Sequence, residues 1–429
     1  MTMILSAVVI LAMCWALVKK YETRLVLIAG GLILACMAGD PLAPLVSFSK
    51  SMKQANVFEV IIASMGFAAV VKMTGLHTHL IAVFLKLLKK AGPFVIIGVS
   101  LATTIVNSAI PSAAGTSAAV GTIFIPLLLS AGVPAPLAAA AVMAGLYGGN
   151  LNPGHVHPTI VADLAQRPSI EFVQMVAGPI LGSVVISSAL MVLIAFYMKK
   201  RGWRPDEVKL EADGEGIPPD FKINYLYSII PLLPLIILLL GNFGIVSALK
   251  MPVSHAMIIG AVVALVAVRP NPGTFVKTFF KGMGDSFGNI FGIIVAANIF
   301  VAGMKSVGLI QALIEFMSSS PVIAKGASIV GPFVIAVLCG SGEAASIAFN
   351  NAVSAHAPQF GLDIMNMGAM TVLSGGIGRS ISPVAGAMII CAGIAKVSPM
   401  TVAKSPSLRV RVTPFMARFS LMVPALKVL

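Results

Sequence analysis

The chain has 429 residues, of which 58% are hydrophobic and only 10% charged. Soluble domains carry about 25% charged residues, so an ordinary soluble protein is excluded and an all-α polytopic membrane protein is expected. The formal net charge of +14 would suggest nucleic acid in a soluble chain. Here it reads as basic loops beside anionic lipid headgroups, with the bilayer and not nucleic acid as the partner.

In chain order, residues 2–18 are apolar, lack a cleavage site and are followed by Lys19, Lys20 and Arg24; they read as a retained first helix. Further apolar spans are expected near 25–39, 57–74, 92–106, 118–131, 134–165 (broken), 172–198, 224–241, 252–268, 286–304, 322–338, 344–356 and 364–395 (broken). Residues 199–223 are the long polar segment, a cytoplasmic linker between an N-terminal membrane half, 1–198, and a C-terminal one, 224–404. Stretches 78–90 and 309–319 carry apolar residues with charge at a flank or face, as short helices lying at the interface do. Cys14, Cys36, Cys339 and Cys391 sit in apolar runs without metal-ligand spacing and read as small buried hydrophobes.

The two halves repeat one unit. Phe67–Leu76 reads FAAVVKMTGL and Ile299–Leu309 reads IFVAGMKSVGL, each ending in Lys-x-x-Gly-Leu. Both copies continue through Gly-Pro-Phe-Val-Ile (92–96 and 331–335) to a glycine/serine knot, SAIPSAAGTS at 108–117 and CGSGEAAS at 339–346. Each then reaches a proline inside an apolar segment, Asn152-Pro153 and Ser382-Pro383. Duplicated apolar units with paired interruptions are the sequence mark of a secondary transporter's midplane site. If each knot turns back as a re-entrant hairpin (near 107–117 and 339–346), most lysines and arginines share one side. Lys50, Lys53, Arg167, Lys250, Lys305 and Lys325 lie opposite, as the positive-inside rule requires. That topology makes the copies antiparallel, hence inverted repeats with the half-structures that alternating access exchanges.

The polar groups at membrane depth are the candidate site. Asn107, Ser108, Ser112, Thr116 and Ser117 gather at the first knot, and Ser341, Glu343 and Ser346 at the second. Irregular backbone survives in a membrane only where it packs in protein or lines a wet cavity, and helix starts beside each tip direct free N–H groups inward, which suits an anion. The competing reading is small-residue helix packing with hydroxyls bonded to the preceding turn. Opposite the knots, Pro153 (with Asn150 and Asn152) and Pro383 (with Arg379, Ser380 and Ser382) break their helices near 150–154 and 378–383. They free carbonyls for a coupling cation, H+ or Na+ being left open, and the side-chain amides and hydroxyls there are candidate holders of a substrate carboxylate; a mere proline kink is the competing reading. Arg379 is either a bidentate clamp for a substrate carboxylate or a structural partner of Glu343 or of helix-end carbonyls. Glu343 is either a proton-coupling carboxyl or that permanent partner.

Other readings are weaker. His155, His157 and Asp163 lack a spacing that aligns metal ligands on a helix, so no metal site is expected. Asp285 and Glu315 lie near span ends and read as solvated. There is no GxxxxGK[ST] segment for ATP, no nucleophile–base pair at depth for an intramembrane enzyme, and no repeated ring of charge for a channel. No cofactor is called for.

At the 108–117 knot, GSGEAASIAF (340–349), SGGIGRSISPVAG (374–386) and AGIAKVSP (392–399), the chain resembles the DcuC family of anaerobic C4-dicarboxylate carriers over about residues 1–404. The resemblance implies a bacterial inner-membrane carrier of succinate, fumarate, malate or aspartate, working as exchanger or cation-coupled carrier. From the wider ion-transporter superfamily it implies a hairpin-containing inverted repeat, a homodimer and an elevator-like movement. Glu343 departs from the neutral amide expected at its position, which leaves other organic acids, amino acids or peptides open as substrates. The resemblance also implies a final apolar helix where this chain reads SPSLRVRVTPFMARFSLMVPALKVL, a basic segment with three prolines. Residues 405–429 are accordingly expected to be an atypical tail, either a frameshifted replacement of that helix or a basic cytoplasmic segment.

Overall fold

The computed structural model describes residues 2–19, 21–53, 55–88, 94–200, 217–218, 221–318 and 321–404. Most of the expected linker and all of the 405–429 tail lie outside the described residues. Within them the chain is all-helical.

The first copy runs through α1 (Thr2–Val18), α2 (Thr23–Met37), α3 (Ala43–Ser51), α4 (Ala55–Met73), α5 (Leu76–Leu88), α6 (Val95–Ala109), α7 (Ala113–Ser130), α8 (Ala135–Gly145), α9 (Val156–Ala165) and α10 (Ser169–Lys200). The second runs through α11 (Tyr225–Ile229), α12 (Leu233–Asn242), α13 (Val253–Val268), α14 (Pro272–Ser286), α15 (Gly292–Ser306), α16 (Leu309–Ser318), α17 (Pro321–Cys339), α18 (Gly342–Ala352), α19 (Ile364–Ile381), α20 (Gly386–Ile394) and α21 (Pro399–Lys404). Five helices are long and apolar enough to cross a membrane, or up to seven if each of two bent pairs is one span. This is a multi-pass membrane protein.

Each expected span has a helical counterpart, and the two broken ones are broken at their prolines. Three helices were not anticipated: α3, α14 and α21. Helix α18 stops at Ala352, short of the expected 356, and gives way to a 3₁₀ turn over Ser354–Phe360. Cys36 is exposed, against the expectation of burial; Cys391 is buried, and all four cysteines are free thiols. Asp285 and Glu315 are exposed, as solvated span-end carboxylates would be.

The two Lys-x-x-Gly-Leu motifs are corners. Gly75 and Gly308 have φ of +70° and +75°, a left-handed conformation costly to any residue with a Cβ. There α4 turns into α5 through 69° and α15 into α16 through 84°. An apolar helix therefore delivers each copy to a short amphipathic one at the same point in the motif.

The chain divides into two compact units. One comprises residues Met1–Ile62, Val156–Phe172 and Met283–Ser382; the other comprises Ala63–His155, Val173–Gly282 and Pro383–Leu429. Each unit draws on both sequence halves. The first contains α17, α18 and α19 and a core of Val26, Ile61, Phe291, Ile294 and Ile347. A single π turn over Phe287–Phe291 precedes α15, and the Gly288 carbonyl accepts from Arg24 Nη1 at 2.6 Å. The ring of Phe58 meets Phe291 edge-on at 4.7 Å. The second unit contains α6, α7, α8 and α20 and a core of Phe67, Val70, Val71, Met257 and Phe275. In that unit α5 is tied to α11 by Lys86, whose Nζ donates to Tyr225 Oη at 3.0 Å.

Candidate functional site

Helices α6 and α7 form the first hairpin and α17 and α18 the second. Each tip is closed by the same device. At the first tip Ser112 has an extended backbone and its Oγ accepts from the Gly115 N–H at 3.2 Å; at the second Ser341 does the same for the Ala344 N–H at 3.1 Å. Both are helix N-caps, satisfying one of the four amide donors that a helix start leaves open. The remaining first-turn N–H groups give each tip a fixed positive end suited to an anion.

The first hairpin's surroundings are neutral and closely bonded. Asn107 is buried, with 1% exposure. Its Nδ2 donates to the Ile110 carbonyl at 3.2 Å and to Thr116 Oγ1 at 3.1 Å, while its Oδ1 accepts from the Gly149 N–H at 2.6 Å. Thr116 in turn donates to the Ile110 carbonyl at 2.9 Å. One amide thereby ties both arms of the hairpin to the helix break. Asn152 donates to the Ser108 carbonyl at 2.8 Å and accepts from the Gly154 N–H at 2.8 Å. Asn150 is buried in the 3₁₀ turn over Gly148–Leu151 that replaces the helix ahead of Pro153. Ser108 bonds back to the Ile105 carbonyl at 2.8 Å, the local helix bond of the competing reading.

The second hairpin's surroundings carry charge. Arg379 lies in the last turn of α19 and Glu343 in the first turn of α18, each at the helix end whose dipole favours it. Arg379 Nη1 stands 3.9 Å from Glu343 Oε1, with side-chain exposures of 13% and 29%. That separation is an ion pair but too long for a hydrogen bond, so both readings of the arginine remain physically available. Ser346 donates to the Thr371 carbonyl at 3.3 Å, and Ser380 bonds back to the Gly376 carbonyl at 3.0 Å. Ser382 donates to the Val337 carbonyl at 2.7 Å.

The structure thus gathers Asn107, Ser108, Thr116 and Asn152 around the first tip, with Asn150 in the adjoining break, and brings Glu343 to Arg379 at the second. A polar chain that the sequence reading missed runs through the unit holding the second hairpin. Asn351 donates to Asn298 Oδ1 at 2.8 Å, Asn298 donates to Ser51 Oγ at 2.9 Å, and Ser47 donates to the Asn298 carbonyl at 3.0 Å. The available signal was an asparagine, Asn298, deep in the apolar run 286–304. His155 and His157 are both buried, and the His155 ring lies 3.7 Å from where a Cβ on Gly149 would stand. Among the described residues no three His, Cys, Asp or Glu side chains gather as a metal site.

Residues 1–424 match the family model described as DcuC, C4-dicarboxylate anaerobic carrier. An uncharacterized transporter of Haemophilus influenzae is 36% identical over 266 residues, 59% of this chain and 93% of that protein. The anaerobic C4-dicarboxylate transporter DcuC of Escherichia coli K12 is 24% identical over 438 residues, covering 96% of this chain and 94% of that one. Among solved structures, the YdaH transporter of Alcanivorax borkumensis, described as having an unusual topology, shares the fold with a TM-score of 0.63 at 15% identity. The likeness covers 90% of this chain and 89% of that one. On a family match that spans almost its whole length, the chain belongs to the DcuC family of C4-dicarboxylate anaerobic carriers.

Proposed function

We propose that this protein is a secondary carrier that moves C4-dicarboxylates such as succinate, fumarate, malate or aspartate across the bacterial inner membrane. It works by exchange or by coupling to H+ or Na+, as a homodimer whose inverted repeats alternate access. The observation that carries the reading beyond the family is that a carboxylate already stands where a substrate carboxylate would bind. Glu343 lies in the first turn of α18, its Oε1 3.9 Å from Arg379 Nη1. A guanidinium fork and a helix N-terminus are together a carboxylate site. In this reading Arg379 clamps one carboxylate, with the Ser341 tip and the first-turn N–H groups of α18 supplying neutral donors to the anion.

Counterflow of labelled succinate in proteoliposomes tests it. Unlabelled succinate on the far side accelerates entry of label in a carrier; no acceleration overturns the proposal. Single cysteines at Ser112→Cys and Ser341→Cys are expected to react with a small hydrophilic thiol reagent and to be protected by saturating succinate. A second reading has its own support: the Arg379–Glu343 pair also fits a zwitterion, carboxylate to Arg379 and ammonium to Glu343. Competition by amino acids stronger than by succinate in the same counterflow assay selects it.

A further inference from the structure

The residues that precede the two breaking prolines do the same thing at matching places. Counting from the tip serines, Ser108 stands four positions before Ser112 and Val337 four before Ser341. Asn152 Nδ2 donates to the Ser108 carbonyl at 2.8 Å, and Ser382 Oγ donates to the Val337 carbonyl at 2.7 Å. Each carbonyl belongs to the last turn of the helix that enters the hairpin, α6 ending at Ala109 and α17 at Cys339. Carbonyls of a last turn have no partner within their own helix, and at membrane depth no bulk water replaces it. The break in the neighbouring helix supplies the donor.

The packing beside each bond also repeats. A Cβ on Gly148 would collide with the Thr104 carbonyl, and one on Gly378 would collide with the Phe333 carbonyl. The two glycines stand four positions before Asn152 and Ser382, and the two carbonyls eight before the tip serines. Helix α6 therefore meets the α8 break, and α17 meets α19, backbone against side-chainless backbone just ahead of the polar bond. The chemistry also argues against a ligand role. A substrate carboxylate accepts hydrogen bonds, and the one hydroxyl proton of Ser382 is committed to Val337. Asn152 is held at both ends of its amide by the fold, one Nδ2 N–H on the Ser108 carbonyl and Oδ1 accepting from the Gly154 N–H at 2.8 Å, which fixes its plane against the backbone.

We infer that Asn152 and Ser382 are positioning residues, each fastening the break of its helix to the open carbonyl at the end of its own hairpin's entering helix. Each residue governs the tip of its own hairpin and not the other, whichever anion is carried. The second hairpin has a native reporter, Cys339, half-buried at its tip. The matching position in the first hairpin is Ile110, at 7% exposure. In chains lacking Cys14, Cys36 and Cys391, labelling by a charged methanethiosulfonate is followed at Cys339, or at Ile110→Cys with Cys339→Ala. Asn152→Ala is expected to speed labelling at the first tip about ten-fold, the population shift that loss of one buried hydrogen bond produces, and to leave Cys339 at its starting rate. Ser382→Ala is expected to do the reverse, and Ser382→Thr, which keeps the hydroxyl, to restore slow labelling of Cys339. An unchanged rate at a residue's own tip overturns the inference. So does an equal rise at both tips, which marks general loosening of the fold.

Discussion

The two hairpins share a frame and differ in chemistry. Both have a serine cap at the tip, a side-chain donor from the break onto the entering helix and a glycine pressed on that helix's carbonyl. Around that frame the first copy places Asn107, Ala114 and Gly149 where the second places Ala336, Glu343 and Arg379. What both copies keep is what a membrane demands of irregular backbone: a side-chain donor for an open helix-end carbonyl, a cap for a first-turn amide, and no side chain where backbones touch. What differs is the charge beside the frame. The neutral copy spends the Asn107 amide on its own scaffold; the charged copy holds Arg379 3.9 Å from the Glu343 carboxylate.

The largest effect should come from the charged copy. Arg379→Lys keeps the charge but loses the planar fork, so counterflow at low succinate is expected to fall about a hundred-fold, the cost of losing one or two charge-assisted bonds. Membrane insertion should stay normal. Poor insertion of Arg379→Lys, with function returning when Glu343→Gln is added, would make the pair structural and the contrast between the copies one of packing.

The neutral copy should answer in stability. Asn107→Ala removes the acceptor of the Gly149 N–H and the donor to two oxygens, a loss of about 2–3 kcal/mol by the cost of buried unsatisfied groups. Thermal unfolding of the purified protein in detergent should shift down by several degrees. A variant that unfolds like the parent but has lost transport would move Asn107 from scaffold to ligand.

The shared frame makes a prediction about equality. Gly148→Ala and Gly378→Ala each set a methyl against a backbone carbonyl that cannot rotate away, and each should cost about 1–3 kcal/mol, as overpacking does. Similar losses from the two sites support one frame used twice; a tolerated Gly378→Ala beside a crippling Gly148→Ala would break the equivalence.

Much of this was legible beforehand because it rests on hydropathy, proline and glycine. The spans from 2–18 to 364–395, both breaks, and the tips at Ser112 and Ser341 follow from local rules that the membrane enforces strictly. Helix α14 was missed because Lys277 and Lys281, four apart on one face, leave PGTFVKTFFKGMGDS amphipathic and too polar to read as a membrane span. The Asn298–Ser51–Asn351 chain was missed because its members are far apart in sequence and carry no pattern. Asn152 and Ser382 read from sequence as substrate-binding side chains, since nothing in one dimension says which carbonyl a side chain will meet. The units, too, interleave segments of both halves, a property of three-dimensional packing that a linear reading divides at 199–223.

The smallest expected effect sharpens the comparison from the side of pH. His356 lies in the 3₁₀ turn after α18, outside the spans and in the unit with the charged hairpin. Partial burial, and then repulsion from Lys305, lower its pKa below the ordinary histidine value of 6.5. The folded chain thus binds a proton there less readily than the unfolded chain. The sign follows: its share of stability is fully present above the unfolded value and is lost as pH falls through 6.5 toward the lower folded value. The residue is only half-buried, so solvent screening keeps the contribution small. Melting of the purified protein should therefore decline shallowly between neutral pH and about pH 5, the range in which histidines titrate. His356→Gln, which cannot gain the charge, should flatten part of that decline. A slope unchanged by His356→Gln would assign the acid sensitivity elsewhere.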